Sequence, residues 1–176
     1  MEKRGTVYIN QDYYRAGEEK WRKILLELVE SAHFNDRVKE DLLAGKSGPI
    51  GDIKYTLDKF PNHPEALPLI GFIAKRYWKS PSKAIVYYEN AVNRYPEYAI
   101  TQAQYGIFLV EIGMNEDGIY RLKKAVELDP KLAMAHAWLA TAYKRTGNPR
   151  LAEVEANNAR ALGFERDIPD PPVWKP

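Results

Sequence analysis

An all-α solenoid of helical hairpins, preceded by a helical cap, is the fold class that this 176-residue sequence predicts. Three observations predict it. Prolines recur at Pro61, Pro96 and Pro130, at intervals of 35 and 34 residues, each closing an apolar run. Proline lacks the N–H and clashes with the preceding turn, so it stops a helix. Between the prolines, each period holds two stretches of helical apolar spacing separated by a polar turn. Small residues recur where the two helices of a pair must approach: Gly71, Gly106 and Ala140 in the first helices, Ala84, Gly118 and Ala152 in the second. A glycine inside a helix costs about 1 kcal/mol relative to alanine, a cost that close packing offsets. A fixed period of this length is the mark of stacked repeats.

Taken in order, residues 1–16 read as an N-terminal extension and residues 17–63 as a helical cap with a degenerate repeat. Glu18 to Ala32 forms an amphipathic helix with Trp21, Ile24, Leu25, Leu28 and Val29 on one face. Asn35 caps a short helix carrying Val38, Leu42 and Leu43, Gly45-Lys-Ser-Gly-Pro49 breaks the chain, and Gly51 to Phe60 continues as a helix with Ile53, Tyr55, Leu57 and Phe60. A cap is expected because an end repeat otherwise leaves an apolar face in water. Three repeats follow, at residues 64–98, 99–132 and 133–166. The first has one extra residue in its turn, near Trp78 to Pro81. In the second, Tyr105, Leu109 and Ile112 mark one helix, Gly113 ends it, and Asn115 caps the next, which buries Ile119, Leu122, Ala125 and Val126. In the third, Leu139 and Tyr143 precede Gly147-Asn148-Pro149, whose proline suits a helix start, and Ala152, Ala156 and Ala159 follow. Residues 167–176 form a proline-rich tail in which Pro169, Pro171 and Pro172 favour a polyproline-like segment. Trp174 is unusual there, since disordered tails are poor in aromatics.

Composition removes several classes of function. There is no cysteine, which excludes disulfides, zinc ribbons, iron–sulfur clusters and thiol chemistry. The formal net charge is +2 with the two signs interspersed, so no basic face announces nucleic acid. The longest nearly apolar stretch, Ala66 to Ala74, is too short to span a bilayer, and the first residues lack the apolar core of a signal peptide. Gly45-Lys46-Ser47 suggests a phosphate loop, but Glu40 stands where that motif needs glycine, and no strand precedes it. His33, His63 and His136 form no metal-ligand pair; His33 and His63 read as structural, while His136, on a first helix, is placed to touch a ligand. The carboxylates read as solvated helix faces, and the tyrosines Tyr77, Tyr87, Tyr88, Tyr105 and Tyr143 as core. No catalytic residue, metal site or cofactor is therefore expected.

The order of these slots resembles the tetratricopeptide repeat (TPR) family. Gly106, Leu109, Leu122, Ala125 and Pro130 fall in the family's small, aromatic, large, alanine and proline slots. Leu139, Ala140, Tyr143, Ala152 and Ala159 do so in the next repeat, and Ile70, Gly71, Ala84, Tyr88, Ala91 and Pro96 in the one before. The family's tryptophan slot holds Leu67, Gln102 and His136 instead. The resemblance covers about residues 64–164 and implies a TPR-type α-solenoid that acts as a protein-binding adaptor or scaffold. The strings Val-Glu-Ser-Ala-His33-Phe34 and Tyr55 to Pro64 are similar to a bacterial group of TPR proteins that often begin with an export signal. That similarity implies a periplasmic mature chain, with a cytoplasmic one as the alternative.

In stacked helix pairs the first helices line the inner surface. Helix phase places Phe72, Lys75 and Arg76, then Ile107, Val110 and Glu111, then Thr141, Lys144 and Arg145 on that face, with Gln104 and Trp138 at its margin. Apolar residues beside four cations suit a protein or peptide with an apolar anchor and an acidic group. One TPR subclass clamps the C-terminal carboxylate of heat-shock chaperones with asparagines and lysines; these faces offer no asparagine, so that specificity does not carry over. Two functions follow: a noncatalytic module binding a partner's segment on the concave face, or a self-assembling scaffold subunit whose tail packs on its own or a neighbouring repeat. The tail itself reads as a cap, a self-ligand or a disordered end.

Overall fold

The computed structural model of the chain describes residues 9–175. Among them are nine α-helices and no strand: α1 (Lys20–His33), α2 (Asp36–Leu43), α3 (Ile50–Lys59), α4 (Ala66–Arg76), α5 (Ser82–Arg94), α6 (Ala99–Glu111), α7 (Asn115–Leu128), α8 (Ala133–Arg145) and α9 (Pro149–Ala161). The chain divides into two compact units, with the division after Ala91, inside α5.

In the first unit, Ile53, Leu57 and Phe60 of α3 and its C-terminus are buried, as are Leu67, Ile70 and Ile73 of α4. Residues 10–13 close the end of α3. The amides of Asn10 and Gln11 donate to the carbonyls of Asp58 and Lys59 at 2.8 and 2.6 Å. The Asn62 side chain accepts from the Tyr13 amide at 2.9 Å and donates to Asp12 Oδ1 at 2.7 Å. The first two contacts satisfy carbonyls that the end of a helix leaves without intrahelical donors, and the Asn62 pair holds residues 12 and 13 beside them.

One helix differs from the sequence expectation. Of the expected buried face of α1, Val29 is buried, but Ile24 and Leu28 are 46% and 61% exposed. The buried side is shifted to Leu25, Leu26 and Val29, which pack with Ala16, Tyr13 and Phe60. The reason is the partner: α1 meets α3 and the short 3-10 turn at Ala16–Glu18, and these cover one narrow stripe. Leu43 and Tyr55, counted with the apolar positions of their helices, are likewise exposed.

Asn35 caps α2, its Oδ1 accepting from the Val38 amide at 3.1 Å. A helix of eight residues is marginal by itself, so the cap matters. Asn35→Ala should cost about 1 kcal/mol of unfolding free energy. Urea unfolding checks this, and an unchanged midpoint would show that packing of Leu42 alone holds α2.

In the second unit, α6 pairs with α7 and α8 with α9, and α8 packs on both α6 and α7. Ala103, Val110, Leu122, Ala125, Ala135, Leu139 and Ala142 form the buried core. The glycines serve the close approach that their spacing implies. A Cβ on Gly106 would lie 2.6 Å from Leu122 Cγ and 3.0 Å from the Gly118 carbonyl oxygen. One on Gly118 would lie 2.5 Å from Val110 Cγ2.

The helix ends share one device. After α6, the Gly113 amide donates to the Val110 carbonyl at 3.1 Å and the Met114 amide to the Leu109 carbonyl at 2.9 Å, with Gly113 at φ +88°. This is the Schellman pattern, which needs a left-handed residue and so favours glycine. Gly147 with Asn148 repeats it after α8, and Gly163 with Phe164 after α9. The motif also corrects one expectation: Asn115 does not cap α7. Met114 is the cap residue, and Asn115 is already helical. Gly113 and Met114 are both consumed by closing α6, so α7 starts at once. Pro149 opens α9, as its fixed φ suits.

In place of the family's tryptophan, Gln102 and His136 do the same local work as each other. Gln102 Nε2 donates to the Pro96 carbonyl at 3.1 Å, and His136 Nε2 lies 3.0 Å from the Pro130 carbonyl. Each side chain therefore satisfies the carbonyl of the proline that opens its own turn, six residues back.

Candidate functional site

The tail defines the site. After Gly163 the chain runs to Lys175 without helix or strand, and it meets residues of α6 and α8. Thr141 Oγ1 donates to the Pro169 carbonyl and Arg145 Nη2 to the Pro171 carbonyl. Between these two carbonyls the Asp170 carboxylate meets Lys144 Nζ at 2.7 Å and Arg145 Nη2 at 3.5 Å. The hydrogen bond from Lys144 holds the Asp170 carboxyl below the usual range, with Arg145 adding to it. The Trp174 amide then donates to the Glu111 carbonyl at 2.9 Å.

The last contact has a clear cause. Glu111 ends α6, so its carbonyl has no intrahelical donor. The neighbouring Val110 carbonyl accepts from Arg145 Nη1 at 2.8 Å. A cation and an amide thus complete the electronegative end of α6. Arg145 is held on both sides, and its side chain is only 13% exposed, whereas that of Lys144 is 67% exposed. The exposed Lys144–Asp170 pair is worth about 0–1 kcal/mol. Arg145, with two carbonyls and a carboxylate around a fixed fork, organises the site more than Lys144 does.

Every expected site residue can now be placed. Thr141, Lys144, Arg145 and the backbone of Glu111 meet the tail directly. Val110 contributes its carbonyl; its side chain is buried against Gly118. Ile107 and Trp138 are half-buried and pack on the core of the unit, and Gln104 is half-buried on α6. Phe72, Lys75 and Arg76 lie on α4 in the first unit: Phe72 is half-buried with its ring 6.2 Å from that of Tyr77, and Arg76 is exposed. The tail residues Pro169, Asp170 and Pro171 were absent from the expected face because proline-rich sequence carries no contact information. The oddly placed Trp174 was the one signal of a docked end.

The remaining sequence candidates are occupied structurally. Lys46 pairs with Asp41 at 2.8 Å in the turn between α2 and α3. His136 Nδ1 lies 2.6 Å from Glu155 Oε2 of α9 and Nε2 lies 3.0 Å from the Pro130 carbonyl in the turn before α8, so both its nitrogens have partners. His33 meets Asp52 at 2.7 Å. His63 is 1% exposed, and its Nδ1 accepts from the amides of Ala66 and Glu65 at 3.2 and 3.3 Å, which caps α4. Among the described residues no group of three or more His, Cys, Asp or Glu side chains is placed to hold a metal ion, and no helix is long and apolar enough to cross a membrane.

Helical hairpins, one of them sealed at Gly106 and Gly118, Schellman turns after α6, α8 and α9, and a proline just after α5 and α7 define a TPR-type solenoid fold. Solved structures agree with that class. MamA RS-1, as a double mutant, superposes with a TM-score of 0.59 at 18% identity over 80% of this chain and 76% of its own. MamA AMB-1 gives 0.58 at 18% identity over 87% and 95%. YrrB, a TPR protein with an unusual peptide-binding site, gives 0.51 at 19% identity over 88% and 69%. At these identities the likeness establishes the fold. No protein-family model and no curated protein matches the chain in sequence.

Proposed function

We propose that the chain is a noncatalytic protein-interaction module that holds an extended segment of a partner on the first-helix faces of its hairpins. The observation that carries this reading is the occupied face itself: α6 and α8 already hold an extended peptide bearing an acid and apolar residues, the chain's own tail. That is the ligand chemistry the cations and apolar positions imply. The peptide-binding site of YrrB, on the same fold, supports the reading by analogy only, because fold alone does not give function. In the sequence register of the repeats at 64–98, 99–132 and 133–166, Phe72, Lys75 and Arg76 hold the matching slots of the first repeat. The scaffold reading draws support from the same tail in a different role, as a C-terminal cap that completes the end of α6.

Affinity capture with the wild-type chain and a Lys75→Glu/Arg76→Glu/Lys144→Glu/Arg145→Glu variant, matched for helicity, tests the proposal. The expected result is a partner held by the wild type and lost by the folded variant. Identical partners on both baits overturn it. Oligomers of both chains without any partner favour the scaffold.

A further inference from the structure

We infer that the α8–α6 face reads polyproline-II segments of the pattern Pro-acid-Pro, followed three residues later by a free amide, and that the tail is its resident occupant, displaced by such a segment of a partner protein. This rests on the interaction reading above and names the partner's chemistry.

The argument is one of register. Thr141 and Arg145 are four residues apart on α8, a rise of about 6.0 Å along the helix. The carbonyls they bind, those of Pro169 and Pro171, are two residues apart in the tail. Two residues of polyproline II advance about 6.2 Å. The two periods match, so a helix presenting donors at i and i+4 is in register with carbonyls at n and n+2. A polyproline-II backbone has no internal hydrogen bonds, so those carbonyls are free to accept. Residue n+1 then falls between the two donors, where Lys144 and Arg145 select a carboxylate, here Asp170. At n+5 the Glu111 carbonyl demands an N–H, supplied by Trp174, so proline is excluded there. Prolines at n and n+2 cost nothing as acceptors and limit the entropy lost on binding.

The tail's hold is modest by the same accounting. Asp170 is about half exposed and Val173 is 37% exposed. Its advantage is its tether, which gives an effective concentration of about millimolar for a short linker. A partner segment with the same register competes against that figure.

The test uses full-length chains and a fluorescein-labelled peptide with the sequence of residues 167–176. An Asp170→Lys chain keeps the α8–α6 face and sets its tail lysine against Lys144 and Arg145. Anisotropy should show the peptide binding this chain at least about tenfold more tightly than wild type, because the tail no longer competes. A peptide with glycine for all three prolines before Val173 should lose about tenfold or more, since flexible chains lose more entropy on binding. A peptide with lysine for the aspartate corresponding to Asp170 should fail. Equal binding of the proline and glycine peptides overturns the polyproline register. No binding to a folded Asp170→Lys chain overturns the inference as a whole. If capture of a protein partner still depends on Lys144 and Arg145 in that event, the interaction reading stands and only the ligand chemistry is wrong.

Discussion

Acidification from pH 7 to pH 4.5 should remove about 2 kcal/mol of unfolding free energy through His63 alone. Burial of its ring lowers the His63 pKa from 6.5 to about 4. Between those values the unfolded chain binds a proton that the folded chain does not, so stability rises with pH there. The contribution of the neutral ring is intact above pH 6.5 and falls away towards pH 4. Geometry fixes the neutral form as well. Nδ1 accepts two backbone amides, so the proton sits on Nε2, 3.4 Å from Glu30 Oε1 and too poorly aligned to hydrogen-bond it. The rings of Tyr13 and Phe34 lie 4.6 and 4.3 Å away and keep water off. Glu30 is itself raised by burial and by Glu65, which gives it the opposite pH dependence over its own titration and offsets part of the slope. Lys39 disfavours the charged ring further. His63→Asn is the informative variant, because asparagine caps well and does not titrate. Urea unfolding across pH 4–7.5 should give a flatter profile for His63→Asn than for wild type. Parallel profiles would remove His63 from the account.

Gly106→Ala should destabilise the chain by about 1–3 kcal/mol, although alanine is the better helix former. The added methyl would sit 2.6 Å from Leu122 Cγ, 3.0 Å from the Gly118 carbonyl oxygen and 3.0 Å from the Leu122 amide nitrogen. Two of these three neighbours are backbone, which cannot rotate away. Leu122 is fully buried, so Leu122→Ala should cost about 2–5 kcal/mol by itself. The double variant should cost less than the sum, since the methyl then finds room, with a coupling of about 0.5–3 kcal/mol. Chemical denaturation of the four chains measures that cycle. A higher midpoint for Gly106→Ala would mean that α6 and α7 sit further apart than the structure shows.

These two effects also divide what sequence reading reaches from what it does not. The close approach of α6 and α7 was legible because glycine in mid-helix is costly and recurs at one slot. The helix ends were legible because Gly113 and Gly147 are placed where a Schellman turn needs a left-handed residue. The eight-residue α2 was legible from Asn35. Each of these signals is local, carried within about one turn of chain.

Tertiary structure decided the rest. Seen from periodicity, α1 offers a wide apolar stripe, and only the narrow surface of α3 and the Ala16 turn selects Leu25, Leu26 and Val29 from it. His63 reads as a turn histidine until Tyr13, from fifty residues earlier, is seen against its ring. On the candidate face, Val110 is committed to the core by Gly118, and its carbonyl to Arg145. Above all, the ligand-like tail has no periodicity to betray its destination. Its sequence by itself determined a proline-rich, amide-poor segment carrying one aromatic residue, Trp174. Where that segment lies depended on the Val110 and Glu111 carbonyls at the end of α6, which Arg145 and the Trp174 amide reach, and on donors four residues apart on α8, and those meet only when the helices are packed.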